Sequence, residues 1–367
     1  MPFESLNPLR SFFAQRLAPV EPGKIHSSTT TDKKMLKSDL TAIIPMDLSQ
    51  RPYDLIRKAQ RLCKAAEHTG LKLIFGHNDR GTLADSILKT VVRRYACATL
   101  VSDKFYNGEV NTSLLRNKAF DRVSTDYLLL LDVDIWPDIQ MFFKYQQKVF
   151  EGSRPFYFLP CLYLTPRGSK NLAGGKTSPK ELAISFFGFS RKEFLHLASP
   201  SSITVMRSTD YLAVGCFDEL YTGHGYEDFD FMMRLANHYH CLTPCAKILD
   251  NSTARSPLFT TGFRRALGRL CLQALLDKDF VYHLHHAKPK ASKYYLARTD
   301  NYARFSKLHQ PRESAVSESS TLLEDFLNLC RESNNNFHDY SALFENKPGH
   351  VDRYDTFKRR LRFLLNE

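Results

Sequence analysis

DYLLLLDVDIWPD, residues 126–138, runs five apolar side chains in a row straight into two aspartates spaced one residue apart. A strand that is apolar on both faces belongs inside a parallel sheet covered by helices. Carboxylates at the end of such a strand lie where open α/β sheets bind ligands, outside the carboxyl ends of the strands. On extended chain Asp132 and Asp134 fall on one face. Such a pair suits a hard divalent cation, Mg or Mn, that carries a phosphorylated ligand. The plain alternative is a capped strand end with two solvated aspartates, and D-x-D alone does not separate the two.

The chain before this strand repeats one alternation. SDLTAIIPMD (38–47) reads as a strand ending at Pro45, and RPYDLIRKAQRLCKAAEHTG (51–70) as a helix. Its Leu55, Ile56, Leu62 and Ala66 recur at near-helical spacing, and Gly70 suits its end. LKLIFG (71–76) is a second strand leading into HNDRGT, SILKTVVRRY (86–95) a helix, ATLVS (98–102) a strand and NTSLLRNKAFDRV (111–123) a helix. This order predicts an α/β fold with a mostly parallel sheet and helices on both faces. Pro45, Asn78, Asp79, Asp132 and Asp134 then gather at the carboxyl ends of the strands. Further on, FYFLPCLYLT (156–165) and ELAISFFGFS (181–190) read as strands. EDFDFMMRLANHY (227–239) and TTGFRRALGRLCLQALL (260–276) read as helices.

Residues 1–37 are read as an N-terminal arm, and HQPRESAVSESS (309–320) as a linker. TLLEDFLNLCRE (321–332) and DRYDTFKRRLRFLL (352–365) form a helical C-terminal extension over 311–367. Of the 367 residues, 43% are hydrophobic and 25% charged, as in a folded chain with a sizeable core. No run nears the ~18 apolar residues of a membrane span, and MPFESLNPLRSFFAQRL lacks the pattern of a signal peptide. These features place the chain in the cytoplasm, where its eight scattered cysteines are free thiols. NHYHCLTPC (237–245) lacks the pair spacing of a zinc site. NLAGGKTS (171–178) has Lys170 where a phosphate-binding loop needs its first glycine.

The net charge of +12 is uneven: residues 255–307 hold eleven Lys and Arg against three Asp. Such a surplus attracts phosphates, acidic polymers or anionic membranes, or simply solubilises a face. The acidic motifs argue against nucleic acid, which needs basic strands interleaved with aromatics or a recognition helix. In VYHLHH (281–286), His283 and His285 share a face if the segment is extended, whereas a turn brings His283 to His286; either pair can ligate a metal. In GCFDELYTGHGYEDFDFMMRL (215–235), Gly223 and Gly225 make a bend before Glu227, Asp228 and Asp230. Acids in a first helical turn are stabilised by free N–H groups and the helix dipole. That accounts for one or two of them; a carboxylate held at a pocket can instead be a general base.

Taken together, IIPMD, the D-x-D, the G-x-F-D-E…G-x-G-x-E-D-x-D block and the histidine segment resemble the GT-A-fold family 2 glycosyltransferases of bacterial capsule synthesis, chondroitin-polymerase type. The second half is similar to the β-1,4-galactosyltransferase carboxyl domain. The resemblance covers 38–310 and implies a GT-A, Rossmann-like mixed sheet, with a nucleotide-binding half over 38–140 and an acceptor half over 141–310. It implies a UDP-sugar donor, a Mn²⁺ or Mg²⁺ cofactor and transfer to a glycan acceptor, an acidic one if the basic surplus guides it. Pro45, Asn78, Asp79, Arg116, Asn117 and Asp132 are implied at the nucleotide. Asp134, Asp132, His286 and His283 are implied at the metal, Asp228 as base and Glu227 on sugar hydroxyls. The sequence departs from the pattern at Asp47, where arginine is common, with Arg51 following later. It departs also at Cys216, which replaces a glycine, and at His224, which replaces a tryptophan. A catalytically inactive scaffold of the same fold is the other reading. The C-terminal FKRRLRFLL (357–365) offers contact with an anionic inner membrane or another polysaccharide-synthesis protein.

Overall fold

A computed structural model describes residues 39–190, 192–286, 293–311 and 321–345, all within the compact unit Lys37–Glu367. The N-terminal arm, most of the linker and the helix expected over 352–365 lie outside the described residues. The first half alternates as the sequence predicts: β1 Leu40–Met46, α1 Pro52–Ala66, β2 Lys72–Asn78, α2 Leu83–Val92, β3 Ala98–Asp103, α3 Thr112–Phe120 and β4 Tyr127–Leu130. Then follow α4 Ile139–Phe150, β5 Phe156–Phe158, β6 Cys161–Leu164, α5 Pro166–Ala173, α6 Pro179–Phe187, β7 Phe194–Ala198, β8 Thr204–Arg207 and α7 Ser208–Ala213. The remainder is helical except for one strand: α8 Glu227–His238, α9 Gly262–Arg269, α10 Leu272–Leu276, β9 Val281–His283, α11 Lys293–Leu296, α12 Arg298–Leu308 and α13 Leu322–Glu332.

Six strands form the central sheet in the order β3-β2-β1-β4-β8-β5. The first four are mutually parallel, and β8 enters antiparallel to both β4 and β5. The fold is therefore mixed α/β with a mostly parallel sheet flanked by helices. Strands β1 and β4 are buried along almost their whole length, which explains their unbroken apolar runs. Gly76 lets α3 ride close on β2: a Cβ there would meet the Leu115 carbonyl oxygen at 1.9 Å.

Two expectations fail in the second half. FYFLPCLYLT is two strands: β5 stays in the central sheet, while β6, beyond Pro160, joins a second sheet ordered β7-β6-β9. ELAISFFGFS is not a strand but mostly α6. Ser178 and Glu181 close a capping box around Pro179, so the helix is nucleated before the aromatic run begins. Leu182, Ala183 and Phe186 bury its inner face.

Two apolar clusters among the described residues hold the second half of the chain in place. One lies under the central sheet and holds Leu128, Leu130, Phe217, Phe231, Phe263 and Phe305. The other lines the small sheet with Leu162, Phe186, Phe194, Phe280 and Tyr282, and receives Leu322, Phe326 and Cys330 of α13. That helix thus packs on the domain, tied also by Arg269 to Asp325 at 3.0 Å.

Candidate active site

Strand β9 is the piece that assembles the first end of the site. It pairs in parallel with β6, and on its other side with the chain that leaves β4. Trp136 N donates to the Tyr282 carbonyl at 2.8 Å and Leu284 N to the Asp134 carbonyl at 2.8 Å. His283 Nε2 thereby stands 4.0 Å from Asp134 Oδ2, and His286 Nε2 stands 3.8 Å from it. One ligand atom from each of the three residues lies within 4.8 Å of the other two. Of the two pairings open in the sequence, the turn after β9 selects His283 with His286. His285 is carried away, its N–H donating to Ser169 Oγ at 2.7 Å. Tyr163 stacks against His283 with ring centroids 4.3 Å apart and fixes its plane.

Asp134 is also the target of two cations on α1. Arg51 donates twice, at 3.1 and 2.7 Å, and Lys58 Nζ once, at 2.6 Å. Burial pushes the Asp134 carboxyl up, but the Arg51 hydrogen bonds and the charges of Arg51 and Lys58 outweigh it and hold it far below the usual range. Burial lowers His283 to about 4, against the pull of Asp134, so this imidazole is neutral and able to ligate. A carboxylate with two imidazoles is a donor set that fits Mn²⁺ or a similar divalent ion.

Asp132 and Asp134 lie past the end of the strand rather than on it. Strand β4 ends at Leu130, and a turn closed by Ile135 N on the Asp132 carbonyl at 3.0 Å breaks the alternation. Asp132 instead accepts from Ser202 Oγ at 2.8 Å and from Arg116 Nη2 at 2.8 Å. The other nitrogen of the fork, Nη1, donates to Asp228 Oδ1 at 2.9 Å. One guanidinium from α3 thus spans the end of β4 and the first turn of α8. Burial works against the Arg116 charge, but Asp228, Asp132 and Glu227 together hold it above its ordinary value.

Helix α8 opens from a bend in which Gly223, Gly225 and Tyr226 have φ of 69°, 95° and 74°. The bend is pinned by Gly223 N to the Val110 carbonyl (2.7 Å) and His224 N to that of Tyr294 (2.8 Å). Its three acids point three ways. Glu227 is buried, with Oε1 accepting from Thr112 Oγ1 at 3.3 Å and Oε2 without a hydrogen bond. Burial and then the neighbouring Asp228 raise Glu227 to about 8, so it carries a proton at neutral pH. Asp228 is raised too, by burial, with Arg116 opposing. Asp230 faces away, bound by Arg234 Nη2 at 2.7 Å and His309 Nε2 at 2.9 Å. Burial pushes its carboxyl up, but these partners hold it below its ordinary value, as an anchor between α8 and the end of α12.

Asp132, Asp134, Arg116, Glu227, Asp228, His283, His286 and Pro45 all line one cleft of about 340 Å³. Three expected nucleotide residues do not. Asn78 is fully buried and spends its amide on Phe105 N, Tyr106 N and the Tyr106 carbonyl. Asp79 pairs with Lys89 and accepts from Gly81 N. Asn117 holds the Phe217 backbone and the Tyr211 hydroxyl. At that edge the cleft is lined instead by Asp47, which binds Arg80 (2.8 Å) and the Tyr106 hydroxyl (2.7 Å). Sequence reading gave no role to Lys58, Tyr163, Ser202 or Arg298. Lys58 had a signal, a lysine on the apolar face of an amphipathic helix, three residues after Leu55.

Among solved structures, the mannosyltransferase PcManGT of Pyrobaculum calidifontis aligns at 12% identity over 54% of this chain and 52% of its own, with a TM-score of 0.34. The catalytic domain of Drosophila β-1,4-galactosyltransferase 7 aligns at 15% over 54% and 60%, with 0.28. Residues 1–349 of S. aureus TarS align at 13% over 54% and 55%, with 0.33. These alignments cover a little over half of each of those proteins. No curated protein sequence matches the chain. The family described as glycosyltransferase like family 2 matches residues 97–310, from the start of β3 through α12, and so takes in both ends of the cleft and more than half of the sequence. The chain belongs to that glycosyltransferase family.

Proposed function

We propose that the protein is a metal-dependent, inverting glycosyltransferase that moves a sugar from a UDP-sugar to a hydroxyl of a growing surface polysaccharide, capsular or lipopolysaccharide. One observation carries this reading: Arg116 ties Asp132 to Asp228 in the same cleft that holds the Asp134–His283–His286 cluster. Uridine as the base and a surface polysaccharide as the acceptor rest on the family resemblance. So does a cytoplasmic location at the inner membrane.

Asp134, His283 and His286 would hold the divalent ion, whose chemistry is to compensate the charge of the departing diphosphate. Arg51 and Lys58 keep Asp134 ionised and place further positive charge at that end. At the other end Asp228 takes the proton of the acceptor hydroxyl as its oxygen forms the bond to the anomeric carbon. The bond from that carbon to the diphosphate oxygen breaks on the opposite face, and the electron pair leaves with UDP. Arg116 orients the base, and the raised position of Asp228 makes it a better proton acceptor than an ordinary aspartate. Glu227, protonated, donates a hydrogen bond to a sugar hydroxyl. Screening UDP-sugars for manganese-stimulated hydrolysis tests the reading; no turnover of any of them, by wild type or with added glycans, would oppose it.

A second reading has its own support. Arg51 and Lys58 already neutralise Asp134, so these cations can themselves receive the diphosphate with no ion present. Activity that persists in a chelator would favour it.

A further inference from the structure

Of the six arginines of 255–307, Arg265 is buried within α9 and the other five are of two kinds. Arg255, Arg269 and Arg304 are neutralised, by Glu345 at 3.1 Å, Asp325 at 3.0 Å and Asp218 at 2.7 Å. Arg264 and Arg298 meet no carboxylate among the described residues. Both are packed on aromatic rings instead. The Arg298 guanidinium lies 4.9 Å from the centre of the Tyr226 ring, and that of Arg264 lies 4.5 Å from Phe263 and 5.2 Å from Phe229. A polar chain joins them: Arg264 Nη1 donates to Asn251 Oδ1 at 2.6 Å, and Asn251 Nδ2 donates to the Tyr226 hydroxyl at 2.7 Å. Burial, and in lesser part the charge of Arg298, lower Arg264.

Arg298, Tyr226 and Phe229 all line the catalytic cleft. The guanidinium rests against the bare backbone of Gly225, where a Cβ would sit 2.7 Å from Arg298 Nη1. That position is two residues before Glu227 and three before Asp228, and all three residues line the cleft with Arg298. The diphosphate has its own cations at the far end, in Arg51 and Lys58. A guanidinium stacked on an aromatic face keeps its N–H edge open for two parallel hydrogen bonds to a planar or tetrahedral anion.

We propose that Arg298, backed by Arg264, is a specificity site for an anionic group on the acceptor, a sugar carboxylate or a phosphate. This rests on the glycosyltransferase reading and adds the chemical class of the acceptor to it. The geometry accounts for two arginines that meet no carboxylate among the described residues: their counter-charge arrives with the substrate.

The test is equilibrium binding by NMR titration to the full-length protein, alone and with UDP and Mn²⁺. Probes are methyl glucuronide and glycerol phosphate, with methyl glucoside and glycerol as neutral counterparts. At least one acidic probe should bind about tenfold more tightly than its neutral counterpart, and the tighter of the two identifies carboxylate or phosphate. Arg298→Gln should bring acidic and neutral probes within twofold, Arg298→Lys should keep part of the difference, and neither should alter UDP affinity. Equal or absent binding of acidic and neutral probes to the parent protein would overturn the proposal. So would an Arg298→Gln variant that loses UDP affinity as strongly, because the arginine would then serve the donor. A parent protein that binds no UDP counts against the donor reading alone, since the acid–neutral comparison is also made without it.

Discussion

At the β9 end of the cleft Asp134 is surrounded by Arg51, Lys58, His283 and His286, whereas at the α8 end Asp228 shares Arg116 with Asp132 and Glu227 adjoins them. Asp134 and Glu227 are buried and Asp228 is partly so, and burial favours protonation in each. The balance of nearby charge reverses the outcome. Asp134 is held far down as a permanent anion, while Glu227 and Asp228 are pushed up toward the range where protons move. An anion that never protonates suits a ligand for a cation; a carboxylate poised to accept a proton suits a base. On the proposed reading the two ends divide the labour of transfer, and each can be altered separately.

The largest effect is expected at the α8 end. Asp228→Asn should cut the transfer rate by about 10²–10⁴-fold while leaving UDP binding intact; near-normal turnover would remove Asp228 from the role of base. The wild-type kcat/KM should fall as pH drops through the raised Asp228 value, because the base must be ionised. Next comes Arg116→Met, which leaves Asp132 and Asp228 uncompensated. These side chains retain 34% and 28% exposure, so the loss should be about 2–4 kcal/mol of unfolding free energy, below the range for fully buried pairs. Denaturant titration measures it, and an unchanged midpoint would mean that the bridge contributes nothing.

A third change sharpens the contrast through pH. Glu227 in the folded protein sits at about 8 against an ordinary 4.5. Its contribution to stability is therefore full below about 4.5 and is lost as pH rises through about 8. Glu227→Gln should flatten that decline and be the more stable protein at high pH, on the order of 1–3 kcal/mol. A parallel pair of stability curves would show that Glu227 is already ionised. The smallest effect separates neighbours at the β9 end: His286→Ala should weaken manganese binding at least about tenfold, and His285→Ala by less than twofold.

Much of this was legible in the residues. The apolar runs of β1 and β4 and the capped, periodic helices between them are local signals, so the parallel half of the sheet could be read directly. The carboxylates of α8 and the histidines of β9 stood out because acids and imidazoles are conspicuous beside apolar neighbours. What could not be read depends on distant pairing. Lys58 and Arg51 reach Asp134 across 76 and 83 positions, and no local pattern announces that. Strand β8 enters the sheet between β4 and β5 from a stretch with no strong periodicity. Distant pairing also misplaced Asn78 and Asn117, whose amides turn inward to hold backbone rather than outward to the cleft. The reading of 181–190 as a strand fails for a local reason instead: the Ser178–Glu181 capping box starts a helix that the aromatic run obscures.

The proposed division of labour requires a cation held by Asp134, His283 and His286. Calorimetric titration of UDP, with manganese and with chelator, tests it most directly on wild type and Asp134→Ala. Manganese should strengthen UDP binding at least about tenfold in wild type and leave Asp134→Ala unaffected. Equal UDP affinity with manganese and with chelator in wild type would contradict it, and would leave Arg51 and Lys58 as the groups that receive the diphosphate.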